Sequence, residues 1–155
     1  MDECSCGERF ASPLRRGEVF CFTSREFRHI RRMNTAIRIT AVTGFLAVAL
    51  GAIGAHGLQS ALKGLPPEQL AKQLAWWHTA GQYHIIHAVA MLALALHAPS
   101  AKWAWRLMLA GIVLFSGSLY VMGATGSTAL RHVTPIGGIF LLAGWLALCG
   151  LFKRA

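Results

Sequence analysis

Over residues 33–152 the chain carries four long apolar stretches and a single acidic residue, Glu68. Each stretch runs for roughly 17 to 22 residues, about what an α-helix needs to cross a hydrocarbon core some 30 Å thick. That pattern predicts an all-α integral membrane protein with four transmembrane helices in an antiparallel bundle. The expected spans are about residues 37–55, 76–96, 105–123 and 135–152, forming one transmembrane domain over 33–155.

Charge supports the same reading. Only 14% of the 155 residues are charged, against about 25% in soluble domains. A net charge of +9 would suit nucleic acid if the cations shared one wet surface. They sit instead at the ends of the apolar stretches, where they act as topology signals and contacts to anionic headgroups. The expected partner is therefore the lipid bilayer and not nucleic acid. Arg38, Lys102, Arg106, Lys153, Arg154 and seven arginines before Met33 fall on one side, and Lys63, Lys72 and Arg131 on the other. The excess places both termini in the cytoplasm.

Residues 1–32 are polar, lack apolar periodicity and end in a basic run before Met33. They read as a disordered basic tail, or as the product of a translation start placed upstream of the true one at Met33. Cys4, Cys6 and Cys21 in this segment lack the paired spacing of a zinc site, and Cys149 reads as a small packing residue. A rival reading makes the first apolar stretch a cleaved signal peptide with a small-residue site at Ala52-Ile53-Gly54. No cysteine follows it, which excludes a lipoprotein.

Boundary residues agree with the spans. Pro66-Pro67 interrupts any helix, and residues 66–74 can form a short interfacial one. Thr134 suits the N-cap of the last helix, and Pro135 its first helical position. Trp76, Trp77, Trp103 and Trp105 flank the apolar segments at headgroup level, whereas Trp145 falls inside the fourth and faces lipid or a neighbour.

Two sets of residues carry what chemistry the chain offers. Small residues permit close helix approach, which drives association in lipid: Ala47, Gly51 and Ala55 recur every fourth position, joined by Gly117, Gly137 and Gly138. A polar set, Thr79, Gln82, Tyr83 and His87 in the second span with Ser116, Ser118 and Tyr120 in the third, should turn inward as a hydrogen-bonded layer, with His56 at the end of the first. Packing is the simpler role for both sets. The alternatives are a homo-oligomer or membrane-protein contact through a small-residue face, and a proton or polar-solute path through the layer. A metal site would draw on His56, His78, His84 and His87, yet no thiolate or carboxylate joins them, and offsets of six and nine keep three of them off one face. No cofactor is expected. Catalysis is not expected either, because the membrane part offers serines and histidines without an internal carboxylate.

Four ordered motifs resemble a known family. Gly51-Ala52-Ile53-Gly54-Ala55-His56-Gly57, Thr79-Ala80 through Gln82-Tyr83 to His87-Ala88, Phe115-Ser116-Gly117-Ser118-Leu119-Tyr120 and Thr134-Pro135-Ile136-Gly137-Gly138 are similar to the signatures of the YgdD-like family. These are small inner-membrane proteins of unknown function (domain of unknown function 423), related to eukaryotic transmembrane protein 256. The likeness runs from Met33 to about Leu151; His84 and the first 32 residues lie outside it. It implies four retained helices in a bacterial inner membrane and no substrate. The expected role is an uncharacterised structural or accessory membrane bundle, with a conduit as the alternative.

Overall fold

A computed structural model describes residues 24–98 and 100–152, with side chains over 35–98 and 100–149. The first 23 residues, which hold Cys4, Cys6 and Cys21, lie outside the described residues. Among the described residues four helical rods follow one another, and no strand occurs. In a lipid setting this is the expected outcome, because a helix satisfies its own backbone N–H and C=O groups.

The first helix begins at Ser24, since no glycine or proline interrupts the chain before the apolar run. It spans Ser24–Ala52, widens into a π-helical stretch at Ile53–Leu58 and closes with one α-turn, Gln59–Ala61. Gly64, at φ 105°, turns the chain. The second helix, Pro67–His97, is continuous over 31 residues. Pro67 occupies its first turn, where a missing amide costs no bond, and nothing between Lys72 and Trp76 breaks the rod, so the expected interfacial helix and second span are one element. The third helix runs Lys102–Gly111, then a π-helical Ile112–Ser116, then Gly117–Thr125. It ends at Gly126, whose φ of 71° is the left-handed stop that glycine adopts freely.

The fourth helix, Val133–Phe152, starts two residues before Pro135, the first helical position that a Thr134 cap anticipates. Thr134 is thus inside the first turn, and its hydroxyl is engaged by Ser118 at 2.7 Å. Three segments, Thr35–Ala61, Pro67–His97 and Lys102–Thr125, are long and apolar enough to cross a membrane; Val133–Cys149 is apolar but shorter.

Thr40 stands level with Trp105, and Leu50 with Trp77 and Tyr120, so successive helices alternate in direction. The second and third helices form the centre, with the first packed on the second and the fourth on the third. One apolar cluster joins Met91, Met108, Ile112 and Leu141; the other joins Ala80, Leu119 and Tyr120 with Leu50, Trp76 and Trp77 around them. Large apolar side chains also cover the outside, among them Phe45, Val48, Val89, Ile139 and Leu146, as a lipid-facing surface requires.

Glycines set how close the helices come. A Cβ on Gly137 would stand 2.3 Å from the backbone nitrogen of Phe115, and one on Gly111 or Gly144 would strike Leu141 or Met108. These three residues form a seam between the third and fourth helices. Ala47 is buried as expected. Gly51 and Gly117 meet nothing within 4 Å, Gly138 only touches the Phe115 ring, and Ala55 is exposed. The small-residue set read from the sequence therefore divides: Ala47 and Gly137 pack tightly, while Gly51, Ala55 and Gly117 do not. The buried face of the first helix instead follows Thr40, Thr43, Ala47 and Leu58, with Gly54 beneath Trp77, about one residue out of phase with Gly51. Cys149 is likewise exposed rather than packed.

Candidate functional site

The second helix turns a different stripe inward from the one its polar residues suggest. Thr79, Tyr83 and His87 share a four-residue spacing, but the buried positions are Gln73, Ala80, His84, His87, Ala88, Met91 and Ala95. Thr79 is half-buried, Gln82 is exposed, and Tyr83 is 43% exposed with its ring against Phe115 (centroids 4.7 Å apart). His87, Ser116, Ser118 and Tyr120 are buried as anticipated. His56 is exposed on the π-helical stretch of the first helix and takes no place in this layer. His84, which the family motifs leave out, is buried at its centre.

Two polar clusters result. At the first, the Tyr120 hydroxyl lies 3.4 Å from His84 Nδ1. Trp77 packs edge-on against Tyr120, centroids 4.8 Å apart, and its indole N–H donates to Leu50 O at 2.9 Å. Gly54 admits this indole, because a Cβ there would stand 2.4 Å from Trp77 Nε1. Within the glycine-rich signature at the end of the first helix, Gly54 thus has a local steric cause.

At the second cluster, Trp145 Nε1 donates to His87 Nε2 at 3.1 Å, and His87 Nδ1 lies 2.8 Å from Tyr83 O. An indole N–H only donates and a carbonyl only accepts. Both bonds are therefore made by the neutral ring carrying its proton on Nδ1. Nearby, Ser118 Oγ lies 2.9 Å from Phe115 O and 2.7 Å from Thr134 Oγ1, which in turn lies 3.4 Å from Leu130 O.

A third indole closes the opposite end: Trp105 Nε1 donates to Thr40 Oγ1 at 3.0 Å. The three tryptophans tie helix pairs together, a role the headgroup reading of Trp77 and Trp105 overlooks. The available signal was chemical, since an indole donor inside lipid has no water to bond and must find a protein acceptor. Ser116 is an exception to this pairing. The residue is 1% exposed at the end of the π-helical stretch, and its hydroxyl has no hydrogen-bond partner. Among the described residues, no three His, Cys, Asp or Glu side chains gather as metal ligands; His56 and His78 are exposed, while His84 and His87 engage different neighbours.

Residues 50–138 match the family model described as a protein of unknown function, DUF423. The chain belongs to the DUF423 family. A UPF0382 membrane protein of Haemophilus influenzae is 41% identical over 125 residues, covering 77% of this chain and 95% of the relative. YwdK of Bacillus subtilis, also a UPF0382 membrane protein, is 41% identical over 120 residues, covering 74% and 92%. A fission yeast member, C1782.12c of Schizosaccharomyces pombe, is 38% identical over 118 residues, covering 72% and 95%. No solved structure matches significantly. This DUF423 chain is thus a membrane protein with several apolar helices. The span matched by the family model contains Leu50, Gly54, Trp77, His84, His87, Ser118, Tyr120 and Gly137, whereas the Thr40 and Trp145 ends of two interhelical bonds lie outside it.

Proposed function

We propose that this protein is a small structural or accessory bundle of the bacterial inner membrane, with all four helices crossing and both termini in the cytoplasm. The observation that carries the reading is the use of its intramembrane polar groups. Trp77, Trp105 and Trp145 each donate to another helix, and both ring nitrogens of His87 are engaged. Groups used in this way hold helices in register and leave little capacity for chemistry. No reaction is assigned, since Glu68, the one carboxylate over residues 33–152, sits exposed in the first turn of the second helix.

Orientation rests on the cation excess described above; reporter fusions at both ends should report the cytoplasm. A second reading, a conduit for protons or a small polar solute, draws on Ser116, whose unpartnered hydroxyl lies one helical turn from Tyr120. The two readings part in proteoliposomes bearing a pH gradient. On the accessory reading the wild-type protein leaves the gradient as empty vesicles do, and His87→Gln changes only stability. Dissipation by the wild type that His87→Gln abolishes would replace it with the conduit.

A further inference from the structure

Where the second helix begins and the third ends, a cleft of about 280 Å³ opens between Gln69, Lys72, Gln73, Trp76 and Gly126. Lys72 Nζ stands 5.1 Å from the centroid of the Trp76 ring, a cation–π contact that keeps the ammonium at this end of the bundle. Gln73 is 8% exposed, and its Oε1 has no hydrogen-bond partner. A dry acceptor left unbonded destabilises the chain unless a donor reaches it. Gly126 fixes the amide from the other side: a Cβ there would stand 2.6 Å from Gln73 Nε2.

The cleft therefore joins a cation to a buried acceptor in want of a donor. Its ligand must present an anion and a donor side by side, which is the chemistry of a phosphodiester bearing an ammonium or hydroxyl group. Lys63 and Arg131 keep this end basic, with Glu68, one turn before Lys72, as its acid. Trp76, whose indole belongs at headgroup level, sets the depth. We propose that the cleft binds the headgroup of a membrane phospholipid, its phosphate beside Lys72 and its ammonium or glycerol hydroxyl donating to Gln73.

Native mass spectrometry of the full chain in nanodiscs tests this, using phosphatidylethanolamine, phosphatidylglycerol and phosphatidylcholine with identical acyl chains. The choline headgroup has no N–H or O–H, so it isolates the donor. The first two lipids should be retained roughly tenfold more tightly than the third, the factor that ~1.4 kcal/mol corresponds to. Lys72→Ala should weaken retention of all three and Lys72→Arg should restore it. Gln73→Leu should erase the preference over choline and leave the Lys72 dependence. Equal retention of the choline lipid by the wild type, or a preference that survives Gln73→Leu, overturns the proposal. Thermal melting checks that Gln73→Leu folds; if it does not, exposed Lys72 decides, and unchanged retention by Lys72→Ala overturns the site. Glycerophosphoethanolamine separates a lipid from a soluble ester: displacement of lipid by it at equal concentration overturns the lipid assignment.

Discussion

Replacing Gly137 by alanine tests the glycine seam directly. The new methyl would stand 2.3 Å from Phe115 N, 2.7 Å from Phe115 Cα and 2.8 Å from the Leu114 carbonyl carbon. All three atoms are backbone, so no rotamer change relieves the clash, and the fourth helix must retreat by about 1 Å to reach ordinary contact, a gap that forfeits a quarter to a half of each facing dispersion well. That retreat also opens the approaches at Gly111–Leu141 and Gly144–Met108. The expected net loss is about 1–3 kcal/mol, even after the ~1 kcal/mol a helix gains when alanine replaces glycine. Gly51→Ala, with nothing within 4 Å, should show that gain alone. Reversible unfolding in mixed dodecylmaltoside–SDS micelles, followed by tryptophan fluorescence, measures both. Equal stability of the two variants would refute the seam, as would a loss in Gly51→Ala matching that in Gly137→Ala.

Further expectations use the same assay. Trp145→Phe keeps an aromatic ring and removes the donor to His87, costing about 0.6 kcal/mol and at most ~2; no change would mean the bond contributes nothing to stability. Thr40→Val should cost a similar amount by stripping Trp105 of its acceptor, and Thr40→Ser should restore it. Ser116→Ala removes an unpaired buried hydroxyl and should leave stability equal or raise it by up to ~1 kcal/mol, whereas a loss would point to a partner at that site.

Apolar length alone made the helical class legible, because lipid leaves the backbone few other solutions. Phase was harder to read. The polar positions of the second helix suggest a stripe at 79, 83 and 87, but Gln82 and Tyr83 lie outside while Ala80, His84 and Met91 lie inside. Hydropathy does not separate inside from outside in a membrane, where both surfaces are apolar. The same ambiguity hid which glycines pack: Gly137 is tight and Gly51 open, although both belong to small-residue runs. The π-helical stretches at Ile53–Leu58 and Ile112–Ser116 left no composition signal, and each shifts the phase of every residue beyond it.

The indole bonds have a consequence for the order in which the molecule assembles. Synthesis runs from the amino end, so the first helix reaches the bilayer before Trp77 and Trp105 exist to meet Leu50 O and Thr40 Oγ1. His87 likewise precedes Trp145 by 58 residues. Each donor is thus made after its acceptor. The last-made helix brings Gly137, Gly144 and the final indole, so the seam and the His87 bond are completed only when it arrives.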